Sequence, residues 1–160
     1  NTAGMIEIFR LYIEALHPAY ERLIASAPFK YADLAGHVIP ERGIYLLTEG
    51  DRHLYVGRSD SIRQRLRSHC AVSSSHHKAA FAFRLAREAC GVPKASYRPE
   101  GSRAHLMTQD SFRSAFESQK ARLRTMDIRV VEEAEPNRQA LLEMYVSIAL
   151  GTPYNDFANH

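Results

Sequence analysis

The segment from Gly43 to His69 combines phenol groups with a dense group of cations. Tyr45 and Tyr55 lie ten residues apart in short apolar runs, Arg65 follows after ten more, and His69 comes four residues later. Hydrolysis of a phosphodiester needs a base for the attacking water, charge stabilisation on the phosphoryl oxygens and help for the leaving oxygen. An arginine fork binds two of those oxygens at once, which lysine cannot do. The residue types therefore suit a phosphate-facing site.

Each candidate residue also has an ordinary structural explanation. The tyrosines could be half-buried aromatic residues of strands, and the arginines could form the solvated face of a helix. His69 could be a polar residue whose hydrogen bonds are satisfied, and Glu143 could be an acid on a helix surface. A functional interpretation therefore depends on the combination and not on any single residue.

The positive charge of the chain is local. The 160 residues are 45% hydrophobic and 24% charged, with a formal net charge of +3, which is typical of one globular domain. Between Arg52 and Cys70 there are five arginines but one acid, Asp60. A local excess of this kind favours a polyanionic partner. Cys70 and Cys90 match no disulfide or metal-binding pattern.

The chain contains no apolar run that approaches the ~20 residues needed to cross a bilayer, and its N-terminus lacks the order of a signal peptide. We therefore expect a soluble, cytoplasmic protein with no membrane partner. Residues 1–4, "NTAG", are expected to be a cloning remnant, with Met5 as the native start.

Two short β-rich runs, "GIYLLT" and "HLYVG", flank the polar stretch "EGDR" and predict a β-hairpin. Directly opposed residues of an antiparallel pair share a face. Tyr45 can therefore oppose Tyr55 only if the loop has an odd number of residues. If the phenols act together, we expect a loop of residues 49–51, with Thr48 facing Arg52.

Helical periodicity appears on both sides of this hairpin. Apolar residues from Ile6 to Ile24, interrupted by Pro18, predict an N-terminal helical hairpin. Another helix should begin near Ser59 or Asp60. The remaining expectations are helices at 76–89 and 111–126, a loop at 93–101, a strand at 127–132, and a final helix from Pro136 to a cap at Gly151.

The ordered motifs resemble the GIY-YIG nuclease family. Gly43-Ile44-Tyr45 is similar to the first motif, and Tyr55-Val56-Gly57 to the second, with valine in place of isoleucine. Arg65, His69, a late helical Glu143 and an Asn155 in "TPYND" follow in the family's order. The resemblance covers Gly43 to Phe157.

The resemblance implies a small α/β (α+β) domain with a three-stranded antiparallel sheet flanked by helices. We expect one domain over residues 5–160, in which 5–39 form an N-terminal helical extension. The catalytic core would be 43–157, and a helical insertion at 76–126 would make it longer than the most compact relatives.

The resemblance also implies an endonuclease that hydrolyses DNA phosphodiester bonds with one divalent metal. Tyr45 and Tyr55 would flank the attacking water, and Arg65 would contact the scissile phosphate. His69 would assist proton transfer, and Asn155 would fix the local geometry.

Glu143 would hold the metal. One carboxylate suits Mg²⁺, with Mn²⁺ as a substitute, because Mg²⁺ keeps several waters and uses phosphate oxygens as ligands. The metal would stabilise the leaving oxygen. Arg58 would be a second phosphate contact, and Arg63 and His76 are further candidates for binding the substrate.

The identity of the general base is left open by these residues. A free phenol has a pKa of ~10, so nearby cations such as Arg58 or Arg65, or a metal-bound network, must favour its deprotonation. We favour Tyr45 over Tyr55, with the proton relayed to His69.

A module that binds nucleic acid through the same arginines without cutting it is the main alternative. An interaction domain built on the N-terminal helices is a third.

Double- or single-stranded DNA could be the substrate, and RNA is a further candidate. A transient homodimer would supply the two active sites that a duplex cut requires. No separate reading head is visible, so the target sequence is not specified.

Overall fold

The computed structural model describes residues 6–92 and 102–158. The strands are β1 (Gly43–Glu49), β2 (Arg52–Ser59) and β3 (Asp127–Glu132). The α-helices are α1 (Glu7–Ala25), α2 (Ile62–Cys70), α3 (Ala80–Ala89), α4 (Arg103–Leu106), α5 (Asp110–Arg124) and α6 (Pro136–Leu150), and a 3-10 helix spans Tyr31–Gly36. The strands form one antiparallel sheet, which confirms the predicted α/β fold class.

Strand β1 lies in the middle of the sheet, whose order is β2-β1-β3. Its residues are buried from Gly43 to Thr48, which explains why this segment is almost continuously apolar. One face of the sheet packs against α1 and α6 in a core that includes Leu16, Leu23, Ile44, Leu46, Val56, Leu142 and Val146. Strand β2 forms an edge of the sheet.

The hairpin loop differs from the predicted odd loop. Glu49 pairs with Arg52, so the loop contains two residues and begins with Gly50 at φ 62°. The register shifts between Leu47, which pairs with Tyr55, and Thr48, which pairs with His53. This β-bulge adds one residue to β2 and reverses the parity of the pairing beyond it. The expected loop is therefore wrong.

The N-terminal segment is one long helix followed by the 3-10 turn, so the predicted helical hairpin is also wrong. Pro18 lies inside α1. Both His17 and Pro18 are exposed, so water can reach the backbone at the point where proline removes a helical hydrogen bond. Leu16 and Leu23 are buried on the opposite side of the helix.

Residues 6–63 and 126–158 form one compact unit, and the described part of 64–125 forms another. In the second unit, α3 packs on α5, and Phe83 lies 5.1 Å from Phe112 between ring centroids. The buried ammonium of Lys120 donates to the carbonyls of Val72 (2.7 Å) and Ser74 (2.8 Å), which ties the connecting loop to α5.

The helices of this second unit differ from expectation in detail. Helix α3 begins at Ala80 and not at residue 76, because residues 76–78 form a turn. The short α4 was not predicted, and α5 runs from Asp110 to Arg124. The loop predicted at 93–101 lies outside the described residues. Across the described ranges, no helix is long and apolar enough to span a membrane.

Candidate active site

Tyr45 and Tyr55 lie on the same face of the sheet. Tyr45 opposes Gly57, and Tyr55 opposes Leu47, which is two residues from Tyr45 on β1. The two phenol rings are 6.2 Å apart between centroids. Tyr45 is 1% exposed, whereas Tyr55 is half-buried. The bulge thus places the phenols together despite the even loop.

The glycines of the two motifs permit close approaches. A Cβ atom at Gly57 would lie 2.1 Å from Cζ of Tyr45, so the tyrosine ring occupies the space that a side chain would need. A Cβ atom at Gly43 would lie 2.0 Å from the carbonyl oxygen of Val131 on β3. Gly57 therefore lets the Tyr45 hydroxyl extend over the edge strand, and Gly43 lets β1 and β3 approach.

Two residues near the C-terminus, Tyr154 and Asn155, bind the outer edge of β2. The backbone N–H of Tyr154 donates to the carbonyl of Leu54 at 3.2 Å. Asn155 Oδ1 accepts from the N–H of Val56 at 2.9 Å, and Asn155 Nδ2 donates to the carbonyl of Val56 at 2.7 Å. One side chain therefore satisfies both outward backbone groups of Val56, as a neighbouring strand would.

Glu143 meets the same edge two residues further along. The backbone N–H of Arg58 donates to its carboxylate. Burial raises the pKa of this half-buried carboxyl, and the charge of Arg58 and this hydrogen bond act in the opposite direction. The carboxylate thus lies at an edge strand beside a guanidinium, and one donated hydrogen bond leaves it with further lone pairs for ligands.

The Arg58 guanidinium is oriented by Gln139, a residue that sequence analysis did not identify. Gln139 is buried on α6, one turn before Glu143. Its Nε2 donates to the carbonyl of Glu133 at 2.9 Å, and its Oε1 accepts from Arg58 Nη1 at 3.4 Å. The spacing of four residues before Glu143 was the available signal, because such residues share a helix face.

Arg63, an expected substrate contact, is engaged elsewhere. Its guanidinium donates to the carbonyl of Leu34 and to that of His37 (2.6 Å), which hold the end of the 3-10 helix. These bonds favour a structural role for Arg63 over a contact with the substrate.

Arg65, His69 and His76 belong to the second compact unit. Arg65 is half-buried, whereas His69 is fully buried and its ring lies edge-on to Phe81, 6.3 Å between centroids. Burial, followed by the charge of Arg65, lowers the pKa of His69 to about 3. His69 is therefore a neutral imidazole near neutral pH.

His76 is half-buried and its ring lies 4.0 Å from that of His77. Burial, the charge of His77 and that of Arg103 lower its pKa. Its carbonyl accepts a hydrogen bond from Arg103 Nη1 at 3.3 Å. A contact between His76 and a substrate stays a prediction.

The comparison with protein families agrees with the motifs. Residues 41–96 match the family model of the GIY-YIG catalytic domain. The resemblance predicted from the motifs is thereby confirmed, and the matched family is one of nucleases. No curated protein and no solved structure matches the chain.

The match to the GIY-YIG domain includes the hairpin, Arg58, Arg65 and His69, but it ends before Glu143 and Asn155. The contacts at the β2 edge connect these two later residues to the GIY-YIG segment. Glu143 bonds the residue after the second motif, and Asn155 bonds the middle residue of that motif.

A divalent cation can be accommodated only with few protein ligands. Among the described residues, no group of three or more histidine, cysteine, aspartate or glutamate side chains could hold a metal ion. The single carboxylate of Glu143 fits Mg²⁺, which retains water and takes phosphate oxygens as its other ligands. A structural zinc site would require a different set of residues.

Proposed function

We propose that the protein is a metal-dependent endonuclease that hydrolyses DNA phosphodiester bonds. The main support is the arrangement along β2. The Tyr45 hydroxyl lies over Gly57, while the groups of Val56 and Arg58 that face outward bind Asn155 and Glu143. A phosphate beside this edge could meet the phenol of Tyr45, the guanidinium of Arg58 and the carboxylate of Glu143.

Strand alternation explains why the edge, and not a face, is the proposed location. Tyr55 and Gly57 point to one face of β2, whereas Arg58 points to the face that packs on α6. Groups from opposite faces can act on one phosphate only where the sheet ends. Gly57 contributes by leaving room above the strand for the Tyr45 ring.

In this mechanism, Tyr45 and Tyr55 bind the attacking water, and Tyr45 accepts a proton from it while passing the proton of its own hydroxyl group to His69. Arg58 binds a phosphoryl oxygen, and Gln139 is the positioning residue for its guanidinium. Glu143 would hold Mg²⁺ or Mn²⁺, which when bound supplies positive charge at the leaving oxygen. Asn155 fixes the position of the edge strand through its two hydrogen bonds to the backbone of Val56.

Arg65 is proposed to contact the scissile phosphate. His69 is proposed to receive the relayed proton. A neutral His69 is a weak proton acceptor, because its pKa of about 3 lies far below neutral pH. The negative charge of a bound phosphodiester would raise that pKa by favouring the imidazolium. Relay through His69 is therefore expected only in the complex with substrate.

One observation favours the second candidate, a module that binds nucleic acid without cutting it. Tyr45 and His69, the two groups assigned to proton transfer, are both almost fully buried. A domain that only bound DNA could retain these residues as core positions.

The deciding experiment incubates supercoiled plasmid, labelled duplex, single strand and RNA with Mg²⁺, Mn²⁺ or EDTA. The proposal expects metal-dependent nicking that Glu143→Gln and Arg58→Ala abolish and that Glu132→Gln, which changes an exposed acid, leaves intact. Metal-independent binding with no product would establish the binding module. Double-strand cuts that rise with the square of enzyme concentration would support a transient homodimer.

A further inference from the structure

A groove of about 630 Å³ lies on the second compact unit, along α3 and beside Arg103. Its lining contains three arginines, Arg84, Arg87 and Arg103, and one acid, Glu88, so cations are in excess. Its volume is in the range of sites that bind organic ligands or parts of larger ones. The residues assigned to the proposed chemistry do not line this groove.

The guanidinium groups of two of these arginines lie over the ring of Phe83. The Cζ atom of Arg103 lies 5.0 Å from the centroid of the Phe83 ring, and that of Arg87 lies 5.8 Å from it. Phe83 itself is 1% exposed and packs on Phe112. A rigid buried ring thus holds two guanidinium groups at the groove by cation–π contacts.

The two guanidinium groups are close enough to influence each other. Burial and the charge of Arg103 both lower the pKa of Arg87. Arginine nevertheless keeps its charge at any physiological pH, so the repulsion persists. An anion bound between the two groups would offset it, and arginine forks bind the paired oxygens of phosphate especially well.

We propose that this groove binds a backbone phosphodiester of the nucleic-acid strand, held by Arg87 and Arg103 with Arg84 at the rim. The inference rests on the proposed function and adds a contact to substrate outside the reacting atoms. The hydrogen bond from Arg103 Nη1 to the carbonyl of His76 helps to fix the guanidinium in place. Such a contact contributes affinity but carries no sequence information.

The test measures binding of a fluorescein-labelled DNA duplex by anisotropy in EDTA, over a range of salt concentrations. Arg87→Ala and Arg103→Ala should each weaken binding by about tenfold, since a charge-assisted hydrogen bond is lost. Each should reduce the slope of log affinity against log salt by about one. Arg113→Ala, which removes one charge from the same unit outside the groove, is the matched control.

Arg87 is half-buried, so thermal unfolding is used to check that Arg87→Ala is folded. If Arg87→Ala is unfolded, Arg84→Ala and Arg103→Ala, which change exposed residues, test the groove instead. Affinities and salt slopes equal to those of Arg113→Ala would overturn the proposal. So would tight binding of inorganic phosphate alone that Arg103→Ala abolishes, because the groove would then be a small-anion site.

The same variants separate the two proposals. Arginine-dependent binding by a protein that never cuts would support the groove and refute hydrolysis. Metal-dependent cutting with normal binding by both groove variants would do the reverse.

Discussion

The hydroxyl group of Tyr45 lies directly over Gly57 of the neighbouring edge strand. A Cβ atom at Gly57 would stand 2.2 Å from this hydroxyl oxygen, closer than any real contact of that kind. The glycine of the second motif is thus the space in which the tyrosine of the first motif lies. This relationship joins two motifs that sequence analysis could describe only as neighbours along the chain.

Gly57→Ala should destabilise the fold and reduce cleavage, because the new methyl group must displace the buried Tyr45 ring. Overpacking of this kind costs about 1–3 kcal/mol, measured as the free energy of unfolding in urea. Gly36→Ala is the control, since a Cβ atom there meets no atom within 4 Å. The double variant Gly57→Ala, Tyr45→Leu should recover stability, and additive losses would contradict the contact.

Glu143→Gln should abolish metal-dependent cleavage, by at least about 100-fold, because the ligand charge is lost. Its effect on stability has the opposite sign. Burial raises the pKa of Glu143, so the ionised carboxylate weakens the folded state at neutral pH. Without metal, the variant should therefore unfold at a higher temperature than the parent at pH 7.

This stability difference should disappear on acidification, once the parent's carboxyl is protonated as well. The difference in melting temperature should begin to shrink at a pH above the usual pKa range of glutamate, and it should vanish below that range. Glu132→Gln, which changes an exposed acid, is the control. An equal or lower melting temperature for Glu143→Gln at pH 7 would contradict the predicted burial penalty.

Asn155→Ala should loosen the edge of the sheet at Val56. It removes one acceptor and one donor, so we expect a loss of about 1–3 kcal/mol in unfolding free energy. Hydrogen exchange of the Val56 amide should become faster, while Asn137→Ala, at an exposed position of α6, should leave it unchanged. Unaltered protection of the Val56 amide would show that its bond to Asn155 is dispensable.

Sequence analysis succeeded where local periodicity and turn chemistry determine structure. The first strand over residues 43–48, the strand at 127–132, and α6 with Gly151 at φ 63° as its cap follow from such local signals. The β-bulge at Leu54 could not be predicted, because it depends on the pairing of two strands. The helix interior position of Pro18 depends on which side of α1 faces solvent.

The assignment of Tyr45, Tyr55 and Glu143 to the active site stays a prediction, but the structure shows which of their contacts a sequence can reveal. Spacing and resemblance selected Tyr45, Tyr55 and Glu143. They could not show that Arg63 would bind backbone carbonyls, because those carbonyls belong to a distant segment. Gln139 was missed because its spacing of four residues from Glu143 shows only a shared helix face, and its contact with Arg58 is visible only in the folded chain.

His69 should make stability depend on pH in the acidic range. Its folded-state pKa of about 3 lies below the ordinary histidine value of 6.5, so the unfolded chain binds its proton first as the pH falls. This contribution is complete above pH 6.5 and is lost progressively as the pH falls towards 3, with a slope of up to about 1.4 kcal/mol per pH unit. His69→Gln should therefore show a shallower decline of unfolding free energy over that range, even if the variant is less stable at every pH. His17→Gln, at an exposed histidine, is the control, and a decline as steep as the parent's in His69→Gln would show that the buried imidazole is not responsible.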